Sequence, residues 1–149
     1  MKKTAIVFSL ILASPVLAED VSPPIDQTIE GTVVCADEQG SVLPSADTCT
    51  VSHSYALRTD QGKVYFFLKQ DPRAEIFHDA RVRARRLRIS GWARQGNRIE
   101  IIKLQSVRNG SLYDVYYFCE TCNIKALVGG PCPCCQADLE FRETPAETG

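Results

Sequence analysis

The sequence predicts an all-β protein, a small five-stranded barrel with one short helix, followed by a C-terminal metal-binding knuckle. Two observations support this fold class. Segments that alternate apolar and polar residues, as strands with one buried face do, recur between glycine-containing turns over residues 29–116. Beyond them, two Cys-x-x-Cys pairs at 119–122 and 132–135 have the spacing of ligands that share one tetrahedral metal ion.

The first eighteen residues, 1–18, have the character of a secretory signal peptide. Lys2 and Lys3 precede an apolar run at 5–12, and the Val-Leu-Ala sequence at 16–18 suits cleavage by signal peptidase. The apolar run is too short to span a bilayer, and no cysteine follows the cut to accept a lipid. We therefore expect a periplasmic or secreted protein without a membrane span after removal of the signal.

Charge and length limit what the mature chain can do. The whole chain has 17 basic and 18 acidic residues, so loss of Lys2 and Lys3 leaves 15 against 18, a net charge of −3. This balance argues against general binding of nucleic acid or another polyanion. About 131 residues suit one domain with a modest core and a small appendage.

The N-terminal part of the mature chain contains the first strand and a cysteine-closed loop. Residues 19–28 carry a Pro-Pro pair and no apolar period, which indicates a flexible leader, and residues 29–35 alternate as a strand. The polar loop that follows is flanked by Cys35 and Cys49. A disulfide between them is the expectation for an exported chain and would contribute about 3 kcal/mol. The alternative, a second metal site, lacks a second pair of nearby ligands.

A hairpin and a short helix follow this loop. The predicted strands 51–59 and 63–69 flank Asp60-Gln61-Gly62, a turn with glycine where a positive φ is needed. In the second of these strands, alternation predicts that Val64, Phe66 and Leu68 face the core and that Tyr65 and Phe67 face outward. Residues 71–77 are predicted to form a helix capped by Asp71.

Three more strands are predicted between this helix and the cysteine pairs. The first covers 81–94, with Leu87, Ile89, Gly91 and Ala93 on one face. Glycine-containing turns at 95–97 and 109–110 lead into strands at 98–107 and 112–118. The last of them delivers the chain to Cys119.

The order of three strands, a helix and the two strands at 81–94 and 98–107 resembles an OB-fold, a small closed barrel. The resemblance implies a binding surface on the second and third strands, where Arg58, Tyr65 and Phe67 could stack against an oligosaccharide or other ligand. The arginines at 81, 83, 85, 86 and 88 would add local positive charge. The alternative is that the aromatic rings pack inside the protein and that the arginines pair with acidic residues such as Glu100.

The C-terminal segment 117–142 carries a second resemblance. Residues 130–139, Gly-Pro-Cys-Pro-Cys-Cys-Gln-Ala-Asp-Leu, resemble the short heavy-metal-binding domain of copper and heavy-metal efflux adaptors and transport ATPases. Tyr117, Cys119 and Cys122 fall at the tyrosine, cysteine and histidine positions of that family, which implies metal trafficking. Thr121 and Ala137, however, stand where the family has methionines, and Gln136 replaces its glycine.

Because four thiolates without thioethers suit Zn(II) or Fe better than Cu(I), these departures favour a structural site. The segment is accordingly also similar to zinc-ribbon and rubredoxin knuckles. We expect zinc, ahead of iron or copper, bound by Cys119, Cys122, Cys132 and Cys135. Disulfides among these residues are the alternative, and Cys134 is either the odd thiol or a replacement ligand. Residues 143–149 are predicted to be a flexible tail.

No catalytic constellation is visible, so we expect a protein that is not an enzyme. His53 and His78 are isolated in the sequence, and the carboxylates occupy turn and cap positions. The first hypothesis is an exported metal-binding protein, an accessory of envelope metal handling. The second is an OB-like interaction module that binds an unknown protein or glycan partner, a peptide or an anionic polymer, with zinc in a purely structural role.

Overall fold

A computed structural model describes residues 23–44, 49 and 53–147. The predicted signal peptide and residues 19–22 of the predicted leader lie outside this part of the chain. Within it, no helix combines the length and the apolar content needed to cross a membrane.

The described chain is mostly β, as predicted. It has eight strands and two short helices in an order that places both helices between the third and fourth strands. The strands are β1 (Gln27–Ala36), β2 (Ser54–Arg58), β3 (Val64–Phe67), β4 (Arg86–Arg94), β5 (Arg98–Arg108), β6 (Ser111–Cys119), β7 (Ile124–Ala126) and β8 (Glu140–Pro145). The helices are a 3-10 helix, Pro72–His78, and α1, Ala80–Arg83.

The first five strands close into a ring. β1 pairs antiparallel with β2 and β4, β2 pairs with β3, and β4 pairs with β5. A short parallel pairing of β3 with β5 completes the barrel. The predicted five-stranded OB-like barrel is therefore confirmed. Gly91 is required for the close pairing of β4 with β5, because a Cβ there would overlap the carbonyl oxygen of Glu100 on β5.

The side chains of β3 face the opposite way to the prediction. Tyr65 and Phe67 are buried in the main core, where Phe67 stacks on Phe77 with ring centroids 4.2 Å apart. Val64 and Phe66 instead pack outside the ring in a second, smaller apolar cluster. The orientation was predicted wrongly because this strand is apolar on both faces, and a shift of one residue exchanges the two faces.

The segment before β4 also differs from its prediction. Residues 81–85 were expected to be strand, but Ala80–Arg83 form α1 and β4 begins at Arg86. Asp79 accounts for the difference, because its carboxylate accepts the backbone N–H of Arg81 and so caps a helix. The preceding 3-10 helix is capped by Asp71 as predicted, and Asp71 also accepts the N–H of Ile101 on β5 at 2.9 Å.

The loop between β1 and β2 is closed by the predicted disulfide. Cys35 and Cys49 are bonded, with Cα atoms 5.4 Å apart, inside the usual range. Cys35 is fully buried at the end of β1. The predicted disulfide between Cys35 and Cys49 is confirmed.

Both predicted flexible ends are shorter than expected. β1 begins at Gln27, and the indole of Trp92 donates to the carbonyl oxygens of Pro23 and Pro24. At the other end, residues 143–145 belong to β8, where Glu143 pairs with Val115 of β6. The tail was predicted to begin too early because the sequence of β8 is polar, and burial of the Glu143 carboxylate cannot be recognised from it.

β6 connects the barrel to the C-terminal segment that was predicted to bind metal. Its first half pairs with β5, and its second half lies between β7 and β8 in a three-stranded antiparallel sheet, hereafter the C-terminal sheet. The strand that ends at Cys119 thus starts on the barrel. No linker separates the two parts.

Candidate metal centre

Four of the cysteines converge beyond the end of β6. The sulfur atoms of Cys119, Cys122, Cys132 and Cys135 all lie within 4.8 Å of one another, and those of Cys119 and Cys135 are 3.5 Å apart. A tetrahedral thiolate site with metal–sulfur bonds of about 2.3 Å places its sulfurs about 3.8 Å apart. The donor set and its dimensions therefore fit one metal ion.

The four sulfurs are unequally covered. Cys119 and Cys132 are buried, Cys122 is half-buried, and Cys135 is exposed, as is the fifth thiol of the segment, Cys134. All five are free thiols, so the disulfide alternative does not describe this arrangement. The site has one face toward the protein and one toward solvent.

The two Cys-x-x-Cys turns have the same backbone shape. The residue that follows each pair adopts a left-handed conformation, with φ of 53° at Asn123 and 63° at Gln136. In the first turn the N–H of Cys122 donates to the sulfur of Cys119, and in the second two N–H groups donate to the sulfur of Cys132. In each turn, therefore, backbone N–H groups donate to one sulfur, which by itself favours the thiolate. At Cys119, the hydrogen bond from the Cys122 N–H is outweighed by burial and by hydrogen bonds with the thiols of Cys135 and Cys132, which raise the pKa.

Hydrogen bonding separates the acidities of these thiols. The N–H groups of Cys135 and Cys134 outweigh burial and lower the pKa of Cys132 to about 7. Hydrogen bonds with the thiols of Cys134 and Cys135, together with burial, raise the pKa of Cys122 well above its ordinary value. Because metals bind the deprotonated form of cysteine, the lowered pKa of Cys132 favours its role as a metal ligand.

The left-handed residue of the second turn allows a stability prediction. Gln136→Gly should raise the stability of the metal-bound protein by about 1 kcal/mol, because glycine adopts this φ without the clash of a Cβ. Ala137→Gly is the control, since no left-handed φ is found there, and it should lower stability. Thermal unfolding of both variants measures the difference. Equal losses in the two variants would contradict the strain argument.

The segment that carries the cysteine cluster is fixed to the barrel through Tyr117. Its ring is almost fully buried between Phe141 and the loop at Gly129, where a Cβ would approach the ring to 2.7 Å. Its hydroxyl donates to Asp79 Oδ2 at 2.6 Å. Hydrogen bonds from Arg81 and then from Tyr117 lower the pKa of Asp79 to about 2. The cap of α1 therefore also anchors the cysteine turns.

The other predicted site residues do not assemble into a stacking platform. Arg58 is exposed at the end of β2, whereas Phe67 is inside the barrel. Tyr65 is largely buried, and its hydroxyl accepts a hydrogen bond from Gln27 at 3.2 Å. The structure therefore contradicts the outward pair of aromatic residues on β3, because both rings belong to the core.

The predicted arginine run does not leave an open basic patch. Arg81 pairs with Asp79, Arg85 with Glu143, and Arg86 and Arg88 with acidic residues of neighbouring segments. Arg83 donates to the carbonyl oxygens of Phe77 and His78. The alternative in which these arginines form ion pairs therefore describes most of the run.

Two features of the structure were not predicted from the sequence. One is the Tyr117–Asp79 contact, which joins residues 38 positions apart and leaves no local pattern. The other is a cleft of about 590 Å³ whose lining includes Gln27, Thr28, Asp60, Tyr65 and Arg86. Gln27 and Thr28 had been assigned to the flexible leader, so only the extended β1 brings them to this surface.

Comparison with known proteins adds no assignment. No protein-family model, curated protein or solved structure gives a significant match to this chain. The functional argument therefore rests on the fold and on the cysteine cluster.

Proposed function

We propose that this chain is an exported, non-enzymatic protein that binds one zinc ion through Cys119, Cys122, Cys132 and Cys135. The observation that carries the proposal is the approach of the four sulfurs to within 4.8 Å of one another on two turns of the same shape. Four thiolates without thioether or carboxylate donors suit Zn(II), with Fe next and Cu(I) last.

The zinc ion has a structural role in this proposal. Two of its ligands are buried against the protein, and the loop that joins the two turns packs on Tyr117. Since four cysteine ligands leave no open coordination position, the site lacks the vacancy that a catalytic zinc needs. The ion would hold the two turns together and so support the C-terminal sheet.

Metal analysis and exchange test the proposal together. Reduced protein purified from its export compartment should contain about one equivalent of zinc, and the ion should exchange with a competing thiolate peptide over hours. The readouts are elemental analysis and transfer of an isotopically labelled ion. Reduced protein that contains no zinc, and takes up none when zinc is supplied, would refute zinc binding. Rapid transfer would instead support an accessory role in envelope metal handling.

The cleft favours a second candidate, an OB-like interaction module for a glycan or peptide. Its lining combines Tyr65 with residues that carry amide, hydroxyl, carboxylate and guanidinium groups. Mixed polar groups around an aromatic side chain suit an uncharged or mixed-charge ligand better than a polyanion. NMR titration of isotopically labelled protein with oligosaccharide and peptide libraries tests this role. Chemical-shift changes confined to other surfaces would exclude the cleft as the binding site.

A further inference from the structure

The five thiols of the metal-binding segment contact one another across the two turns. Cys119 and Cys135 have sulfurs 3.5 Å apart, and the thiol of Cys134 hydrogen-bonds with that of Cys122. Both contacts join one turn to the other. Each Cys-x-x-Cys pair therefore has a sulfur in contact with a sulfur of the other turn.

The same chain holds a formed disulfide and these five reduced thiols. Cys35 and Cys49 are bonded, which indicates that the protein matures under oxidising conditions. Thiols in such conditions stay reduced when a metal ion occupies their lone pairs, because the ion competes with the oxidant for the thiolate. The state of the cluster is then a balance between metal and oxidant.

Exposure determines where an oxidant can attack. Cys135 is the exposed member of the four-sulfur cluster, whereas its contact partner Cys119 is buried. An incoming disulfide can reach Cys135 from solvent, and Cys119 is already in position for the second step. Formation of an intramolecular disulfide by thiol–disulfide exchange needs an accessible attacking thiolate and a second thiolate close enough to resolve the mixed disulfide.

We propose that the Cys119–Cys135 contact is a thiol–disulfide switch that releases the metal when a disulfide oxidant reacts with the exposed Cys135. This inference rests on the proposed zinc site. The ligand class of the switch is a disulfide, either a small molecule or the active-site disulfide of a thiol oxidase.

The reaction balances in two steps. The Cys135 thiolate attacks one sulfur of the oxidant, which forms a mixed disulfide and releases one thiolate. Cys119 then attacks the Cys135 sulfur, forms the Cys119–Cys135 bond and releases the second thiolate. The two cysteines lose two electrons and the oxidant gains two. The ion stays Zn(II) and dissociates because two of its four ligands are gone.

The test begins with zinc-loaded full-length protein treated with oxidised glutathione. Zinc release is followed with a chromogenic chelator, and the disulfides are identified by peptide mapping. We expect release of the bound zinc in step with formation of the Cys119–Cys135 disulfide. A first-formed bond within either turn, Cys119–Cys122 or Cys132–Cys135, would overturn the proposal.

Two matched variants isolate the reactive thiol. Cys134→Ser keeps all four ligands and should release zinc at the wild-type rate. Cys134→Ser combined with Cys135→His keeps a Cys3His donor set that binds zinc, and its release should slow by about tenfold or more. Equal rates in the two variants would overturn the proposal. If the double variant does not bind zinc, the disulfide map of Cys134→Ser decides the question.

Failure of the proposed zinc binding can be distinguished from failure of the proposed switch. Reduced wild-type protein that binds no zinc refutes the proposed function. In that event the disulfide map of the metal-free protein still tests the cross-turn pairing of Cys119 with Cys135.

Discussion

Cys132→Ser should abolish stable zinc binding and unfold the C-terminal sheet, while the barrel remains folded. Cys132 is the fully buried ligand, and its sulfur accepts two backbone N–H groups within its own turn. Structural zinc supplies about 10–16 kcal/mol of apparent folding free energy in small peptides, so loss of one of four ligands removes most of the support for this segment.

Hydrogen exchange and metal content measure this outcome. Amides of β7 and β8 should lose protection, whereas those of β1 and β4 should keep it. Cys134→Ser is the control, because the four-sulfur cluster does not include Cys134. Wild-type protection of β8 in a zinc-free Cys132→Ser protein would show that the sheet does not depend on the ion.

Glu143→Ala should lower the free energy of unfolding by about 3 kcal/mol. The carboxylate is buried on β8, where it accepts from Arg85 at 3.0 Å and from Ser106 at 2.6 Å and pairs with Arg108. Removing it leaves two arginines without their shared partner. We expect the lower end of the range for broken buried ion pairs, because the guanidinium groups are at least a third exposed.

Urea denaturation of Glu143→Ala and Glu140→Ala provides the measurement and its control. Glu140 lies on the same strand but is exposed, and its pairing with Arg142 should contribute less than about 1 kcal/mol. Similar losses of unfolding free energy in the two variants would show that the buried network around Glu143 stabilises the protein no more than an exposed ion pair does.

The contribution of Glu143 should also depend on pH. Burial raises its pKa, but hydrogen bonds from Arg85 and Ser106 and the nearby arginine charges outweigh burial and lower it below 4.5. A carboxyl with a lowered pKa in the folded state stabilises the protein above its unfolded pKa and loses that contribution in acid. The difference between wild type and Glu143→Ala should therefore shrink as the pH falls below 4.5. A difference independent of pH would contradict this assignment.

The sequence predicted which side chains face the barrel interior in strands that have one polar face. The alternation in β4 placed Leu87 and Ile89 inside correctly. It failed on β3, because the outer face of that strand also packs against apolar residues and the pattern loses its contrast. The α1 segment failed for another reason, since the cap at Asp79 determines its conformation more than its alternation does.

For the candidate site, too, features that depend on nearby residues were predictable, and features that depend on distant residues were not. The four ligands were found because each pair lies within one turn, and the sulfurs do come together. The attachment of the site to the barrel through Tyr117 and Glu143 could not be read, because both residues act on partners more than thirty positions away. Burial of a charged residue such as Glu143 has no signature in a single sequence.

The continuity of β6 constrains the length of this strand. Its nine residues pair with β5 at one end and reach Cys119 at the other. An insertion or deletion of one residue in this strand would turn Tyr117 away from Asp79 and displace Cys119 from the other sulfurs. The barrel and the cysteine turns share this strand and have no flexible joint between them, so a change of length in β6 should damage both parts together.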